Sequence, residues 1–179
     1  GANATVTSQQ ATDMGLSQND HLLMQLEIPL DAVASGIMSA QGIGAVSILN
    51  IAPFNPHAAG LMNDADMSVA NETEFDLACE ALNLEGADRK ARMAAFVARS
   101  GKTIIVTLGG DGALAASPDG FISVPALPVT PVDTVGAGDT FCGYLGAALD
   151  AGLDLGSAMR RASAAGSRAC LKPGAQPSI

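Results

Sequence analysis

Residues 133–141 read Asp-Thr-Val-Gly-Ala-Gly-Asp-Thr-Phe, and no other part of the chain says more about its fold. Small and apolar residues recur at helical spacing over 142–149, so the pattern predicts a glycine-flanked turn leading into a buried helix. The N–H groups at a helix N-terminus are unpaired and carry roughly half a positive charge, so an anion binds there readily. Asp139 falls on the first residues of this helix. The run therefore predicts a place where a phosphate lies beside a carboxylate that can deprotonate a hydroxyl.

Two common phosphate motifs do not match this run. A dinucleotide fingerprint needs glycine at the position of Phe141, and a P-loop needs a Gly-Lys-Ser/Thr sequence that the chain lacks. The plainer explanation is an aspartate that caps a helix after a glycine turn. Spacing alone leaves that alternative open.

The rest of the chain alternates short apolar runs with helical stretches, the pattern of a parallel sheet covered by helices. The predicted strands are residues 21–26, 45–49, 67–70 and 103–108, and the predicted helices are residues 31–40, 72–82, 87–99, 139–151 and 156–170. Two alternating runs flank Ser117-Pro118-Asp119-Gly120, which predicts an antiparallel hairpin at the edge of the sheet. We therefore predict one three-layer α/β/α domain over residues 1–179.

Composition limits the function. Of the 179 residues, 48% are hydrophobic and 15% charged, which suits strands buried on both faces. The formal charge of −9 argues against a nucleic-acid partner, and no apolar run is long enough for a membrane span. Three distant cysteines favour neither a disulfide framework nor a zinc site. The expectation is a soluble, cytoplasmic protein.

Polar residues also follow the predicted strands. Asn71 and Glu74 lie at the start of a predicted helix, on the same face of it. There they can hold a hydrated cation or form a capping box. The turn 107–112 is rich in glycine and lies where α/β sheets bind ligands, although a tight turn into the hairpin explains it equally. Glu27 follows the first strand and can bind sugar hydroxyls or only water.

The run 133–141 resembles the Asp-Thr-x-Gly-Ala-Gly-Asp-Thr-Phe signature of the ribokinase-like (PfkB) family of carbohydrate kinases. The resemblance implies a mainly parallel three-layer fold. It also implies that Asp139 is the general base and that the N–H groups of Gly136, Ala137, Gly138 and Asp139 form an anion hole for the transferred phosphoryl group.

The resemblance extends to the nucleotide and metal sites. Asn71 and Glu74 match an Asn-x-x-Glu motif that orders magnesium and its waters, with Asn71 also beside the nucleotide. Residues 107–112 match a Thr-Leu-Gly-x-x-Gly stretch along the ATP phosphates and base. The ATP site implied by the resemblance comprises Asn71, Thr107, Gly109, Gly110, Asp111, Gly112 and Ser163.

Two further stretches match the family. Leu-Met-Gln-Leu-Glu at 23–27 resembles the ribokinase branch, in which the matching Glu27 helps to bind ribose. Residues 172–178 resemble a Lys-Gly-Ala-Gln-Pro-Ser loop that binds a monovalent cation, usually K⁺, with Pro173 standing within it. The implied ligands of that cation are Asp133, Val135, Ala169, Lys172, Gly174 and Ser178.

The resemblance predicts an ATP-dependent kinase that converts D-ribose to ribose 5-phosphate. A fructokinase or a nucleoside kinase is the nearest alternative. The family's first strands, β lid and glycine-rich sugar motif have no match in the chain, so a truncated nucleotide-binding module without activity is the other alternative. The family often dimerises through the lid, so a homodimer is an expectation for a full-length parent only.

Overall fold

A six-stranded sheet forms the centre of the computed structural model, which describes residues 1–175. Its strands lie side by side in chain order, from β1 at one edge to β6 at the other. The first four are parallel, and the last two run antiparallel to their predecessors. The strands are β1 (His21–Met24), β2 (Val46–Asn50), β3 (Met67–Asn71), β4 (Thr103–Thr107), β5 (Ala113–Ser117) and β6 (Gly120–Val124). The predicted fold class and the edge hairpin are confirmed.

Helices cover both faces of this sheet. The α-helices are α1 (Ser8–Thr12), α2 (Leu30–Ile43), α3 (Leu61–Asp64), α4 (Glu72–Leu82), α5 (Arg89–Ser100), α6 (Ala137–Asp150) and α7 (Leu155–Ala169). Short 3-10 turns occupy Ala2–Thr5, Pro56–Ala58 and Gly109–Asp111. In the described part of the chain, no helix combines the length and the apolar character that crossing a bilayer requires.

Each face of the sheet has its own hydrophobic core. On one face, Ile37 of α2, Phe75 of α4 and Phe96 of α5 are fully buried against the strands. On the other face, Leu145 of α6 and Met159 of α7 pack on alternate residues of the same strands. Because both faces are covered, the central strands are buried on both sides and mainly apolar rather than alternating, although Ser47 and Ser68 are buried polar residues within them.

Side-chain caps explain where several helices begin. The predicted bounds of α4 are confirmed: Asn71 and Glu74 form a capping box at its start, and Asn83 ends it in the left-handed conformation. The predicted start of α5 at residue 87 is wrong, since Asp88 accepts from the Ala91 N–H and the helix begins at Arg89. Asp154 likewise starts α7 at Leu155 by accepting from the Ser157 N–H. The capping residue therefore indicates the first residue of each of these helices more accurately than the apolar pattern does.

The end of β1 differs from the prediction. The strand ends at Met24, two residues before the predicted end at Leu26. The N–H of Leu26 donates to the carbonyl of Ala52, and the Gln25 side chain accepts from the Glu27 N–H. Glu27 therefore lies in the turn beyond the strand.

Candidate active site

The carboxyl ends of β3 and β4 bring two predicted site segments together. Asn71 and Thr107 are the last residues of their strands and lie opposite each other in the parallel register. α4 begins directly after Asn71, and the glycine turn begins directly after Thr107. Both segments therefore meet at the edge of the sheet where α/β proteins bind ligands.

The N-terminus of α6 carries a free carboxylate. Its N-cap is Gly136, which has φ 79° and makes no side-chain capping bond. Asp139 is the third residue of the helix and is exposed, and in the described part of the chain its carboxylate accepts no hydrogen bond. The alternative in which Asp139 merely caps the helix is therefore excluded.

The loop before α6 is fastened to the segment after α7. The Asp133 carboxylate accepts from the Val135 N–H at 3.0 Å and from the Gly174 N–H at 2.8 Å. These two backbone hydrogen bonds, that of Gly174 first, lower the pKa of Asp133 below its ordinary value of 3.8. A Cβ atom on Gly136 would lie only 3.0 Å from the Cβ of Ala175, so the two loops are in close contact.

A cavity of about 290 Å³ opens beside this helix start. It lies between the glycine turn after β4, the loop 126–131, the first residues of α6 and one face of α7. Its lining contains seven residues from the predicted site: Thr107, Gly109, Gly110, Gly112, Ala137, Gly138 and Ser163. Asp111, Asn71 and Asp139 do not line it.

The glycine turn is held closed against the hairpin. Gly112 has φ 101°, and a Cβ there would lie 2.0 Å from the carbonyl oxygen of Val124. The N–H of Leu108 donates to the carbonyl of Gly112 at 2.8 Å. Gly112 thus closes a tight turn into the hairpin, which was one of the two interpretations of residues 107–112. The same turn forms a wall of the cavity.

The loop 125–131 is a part of the cavity wall that the sequence did not predict. Ser163 Oγ donates to the Pro125 carbonyl at 2.9 Å, and the Leu127 N–H donates to Ser167 Oγ at 3.1 Å. Prolines at 125, 128 and 131 mark a loop in the sequence. Its place beside α7 depends on contacts about forty residues apart, which no local pattern reveals.

Asn71 and Glu74 cap α4; Asn71 is exposed and Glu74 is half-buried. The Asn71 Oδ1 atom accepts from the Glu74 N–H, and Glu74 Oε2 accepts from the Asn71 N–H, each at 2.8 Å. Burial first, and then the negative charges of Asp139 and Glu74, raise the pKa of the Cys142 thiol to about 12. Both carboxylates therefore lie near the same thiol of α6, with Glu74 Oε1 outside the capping pair.

This donor set fits a hydrated magnesium ion. Magnesium keeps several waters and takes few direct protein ligands. In the described residues no three His, Cys, Asp or Glu side chains converge on one point. Glu74 Oε1 is a single carboxylate oxygen outside the capping pair, which suits an ion held mainly through water and phosphate.

Three of the predicted monovalent-cation residues, Asp133, Val135 and Gly174, meet at the junction of the two loops. If α7 continued, the N–H of residue 173 would donate to the Ala169 carbonyl. Pro173 has no N–H group, so the Ala169 carbonyl receives no such helical hydrogen bond. The Asp133 carboxylate and the backbone of Gly174 meet directly. These oxygen donors fit a hard cation, and Ser178 lies outside the described residues.

Glu27 lies apart from the cavity, on the turn after β1. Its Oε2 atom accepts from Asn3 Nδ2 at 3.0 Å, and both residues are exposed. Asn3 lies on the 3-10 turn that precedes α1. The sequence reasoning did not identify Asn3, since nothing in the local pattern links it to a residue 24 positions away.

A positively polarised helix start, a free aspartate and a mainly apolar cavity lie at one sheet edge, an arrangement that phosphoryl transfer can use. A family model described as pfkB family carbohydrate kinase matches residues 4–179, and the chain belongs to that family.

Similar proteins agree with this family. The chain is 36% identical to the bifunctional ribokinase/ribose-5-phosphate isomerase A of Fructilactobacillus sanfranciscensis, over 98% of this chain and 33% of that protein. It is 31% identical to ribokinase of Staphylococcus aureus, over 100% of this chain and 60% of that protein. A crystal structure of Thermotoga maritima ribokinase superposes with a TM-score of 0.86 at 28% identity, covering 99% of this chain and 59% of that one. The chain thus spans between about a third and three fifths of these proteins.

Family members with other acceptors share the fold. Fructokinase from Vibrio cholerae, solved with fructose, ADP and calcium, has a TM-score of 0.81 at 20% identity over 97% of this chain and 61% of that one. Aminoimidazole riboside kinase from Salmonella enterica, solved with its riboside and an ATP analogue, has a TM-score of 0.81 at 24% identity over 97% and 63%. At these identities the likeness concerns the fold alone.

Proposed function

We propose that the chain carries the nucleotide-binding and catalytic part of an ATP-dependent sugar kinase whose preferred acceptor is D-ribose. The products are ribose 5-phosphate and ADP. The observation that carries the proposal is the free carboxylate of Asp139 on the first turn of α6, beside a cavity lined by Ala137 and Gly138. The relatives named ribokinase at 31% identity and above favour ribose.

In this proposal the nucleotide occupies the cavity and the acceptor lies outside it, next to Asp139. The sugar hydroxyl oxygen attacks the γ-phosphorus, the bond to the ADP oxygen breaks, and Asp139 takes the hydroxyl proton. The N–H groups of residues 136–139 stabilise the charge on the migrating phosphoryl group, a contribution typically worth about 10²-fold or more per donor. Phosphoryl transfer needs little else from the protein than positioning and charge neutralisation.

Two metal sites complete the proposal. Glu74 and Asn71 would hold magnesium through water, and magnesium would neutralise charge on the phosphates. K⁺ would be held by the carboxylate of Asp133, by the carbonyls of Val135, Ala169, Lys172 and Gly174, and by Ser178.

The sugar site would include Glu27. Its carboxylate, oriented by Asn3, would bind hydroxyls of the sugar.

An acceptor panel tests the proposal. The protein is assayed with ATP and Mg²⁺ on ribose, deoxyribose, fructose and a nucleoside, and ribose is expected to give the highest kcat/KM. The variant Asp139→Asn should lose turnover by about 10²–10⁴-fold, the usual contribution of a general base, while it still binds ADP. Full turnover by Asp139→Asn would contradict the role of the aspartate, and a preference for fructose or a nucleoside would favour the alternative acceptors.

The second candidate is a nucleotide-binding module without turnover. The observation that favours it is the share of the relatives that the chain spans, 33% and 60%. Binding of ATP without phosphorylation of any acceptor in the panel would support it. Robust phosphorylation of ribose by the chain itself would rule it out.

A further inference from the structure

The cavity wall offers few groups that can distinguish one nucleotide base from another. Among the described residues that line it, none carries a charge or a carboxamide. Ala137 and Gly138 of α6 mark the phosphate end in the proposed function, so the base lies toward α7 and the loop 126–131. Adenine differs from guanine and hypoxanthine by an amino group in place of a keto oxygen, which only directional hydrogen bonds can read.

The polar side chains at the end of the cavity where the base would lie already donate their protons to carbonyl groups of the protein. Ser163 Oγ donates to the Pro125 carbonyl at 2.9 Å, and Ser167 Oγ donates to the Ser163 carbonyl at 2.9 Å. The Cys170 thiol donates to the Gly166 carbonyl at 3.4 Å. Each group can therefore only accept a hydrogen bond from a ligand, and every purine base has an N–H to offer.

The backbone of the loop 125–131 is also short of donors. Prolines 125, 128 and 131 have no N–H group. The N–H of Leu127 is taken up by Ser167 Oγ. Only Ala126, Val129 and Thr130 of this loop keep an N–H group that no described residue accepts, so the loop offers a base three backbone donors at most.

We infer that this cavity holds the donor base by shape and apolar contact, and that it accepts guanine and hypoxanthine nucleotides nearly as well as adenine nucleotides. The inference rests on the proposed function, since it concerns the donor site of that reaction. A site that hydrogen-bonds its substrate rejects an analogue without the matching group by about 10⁴–10⁵-fold, whereas apolar contact discriminates by as little as about tenfold. The cavity belongs to the second kind.

Titration calorimetry with ADP, GDP and IDP in the presence of Mg²⁺ tests this directly on the chain. The expected dissociation constants lie within about tenfold of one another, because no side chain reads the base edge. A GDP or IDP affinity more than about tenfold below that of ADP would overturn the inference and leave the proposed function intact. Failure of ADP itself to bind would contradict the proposed function as well.

A variant separates anchoring of the loop from reading of the base. Ser167→Ala removes the acceptor of the Leu127 N–H, so it should weaken ADP and GDP by the same factor. Ser123→Ala, on the exposed side of β6 and outside the cavity, is the matched control and should change neither affinity. A change in the ratio of the ADP and GDP affinities in Ser167→Ala would mean that the hydroxyl reads the base, and would refute the inference.

Discussion

Single residues in the site serve both the fold and the proposed chemistry, and Asn71 with Glu74 is the clearest case. The pair caps α4 through two reciprocal hydrogen bonds, and it lies at the sheet edge next to the cavity. The two interpretations of the motif are therefore compatible. They depend on different properties of Glu74. Capping uses its Oε2 atom as an acceptor, whereas metal binding needs the negative charge of its carboxylate.

The variant Glu74→Gln separates those two roles. A glutamine oxygen can still accept from the Asn71 N–H, so thermal stability should change little. The lost charge should raise the Mg²⁺ concentration needed for half-maximal ADP binding, because the carboxylate no longer holds the hydrated ion. Thermal melting and an Mg²⁺ titration at fixed ADP measure the two effects. Unchanged Mg²⁺ dependence would leave Glu74 with a capping role only.

Asp133 predicts a pH dependence of stability. Because the Gly174 and Val135 N–H groups lower its pKa, the folded state favours the ionised carboxylate. The stabilisation is complete above the ordinary pKa of 3.8 and is lost as the pH falls through the lower folded-state pKa.

We expect Asp133→Asn to be less stable than the wild type at pH 7 in urea denaturation. The difference should shrink as the pH falls below 3.8. A difference that stays constant between pH 7 and pH 3 would show that the charge of Asp133 is not what joins the two loops.

At the scale of elements, the N-terminus of α6 depends on a backbone conformation that glycine adopts without strain. Gly136 has a left-handed φ of 79° and lies against Ala175. Alanine there should cost about 1–2 kcal/mol from its backbone conformation alone. The displaced N–H groups should also weaken ADP binding.

The variant Gly143→Ala is a matched control for Gly136→Ala on the same helix. Its added Cβ meets no atom within 4 Å, and alanine is favoured over glycine in a helix interior by about 1 kcal/mol. Chemical denaturation and ADP titration of both variants test the element. Equal behaviour of the two variants would mean that the turn before α6 has no special conformation.

The sequence predicted elements where local chemistry decides them. Asn71 and Glu74 gave the bounds of α4 correctly, and Ser117-Pro118-Asp119-Gly120 gave the hairpin. The five-residue α1 and the four-residue α3 were missed because they are too short for a helical period to appear. Thr107, Gly109, Gly110, Gly112 and Ser163, which were predicted for the nucleotide site, line the cavity. The loop 125–131 and Asn3 were not predicted because their positions depend on distant contacts.

The whole molecule should respond to its proposed ligand. A ligand at about a hundred times its dissociation constant stabilises the folded state by about 2.7 kcal/mol. For a domain of this size, each kcal/mol raises Tm by about 2–4 °C, so ADP with Mg²⁺ should raise it by roughly 5–10 °C. Thermal melting over a range of ADP concentrations checks this, with ribose 5-phosphate alone as the control. A Tm that does not depend on ADP concentration would contradict nucleotide binding to the folded chain.

A second concave region provides the natural comparison for any binding test. A shallow groove lies between β1 and α6, lined by His21, Leu23, Gly146 and Asp150 among others. It is on the same helix as the proposed anion hole but shares no lining residue with the cavity. Binding there would point to a different function for the chain.

The most direct test is a ¹H–¹⁵N NMR titration of the 17.9 kDa chain with ADP and Mg²⁺. We expect the largest shifts on the amides of Gly109, Gly110, Ala137, Gly138 and Ser163. The amides of the groove between β1 and α6 should not shift. Shifts concentrated in that groove, or no shifts at saturating ADP, would contradict the claim that the cavity beside α6 is a nucleotide site.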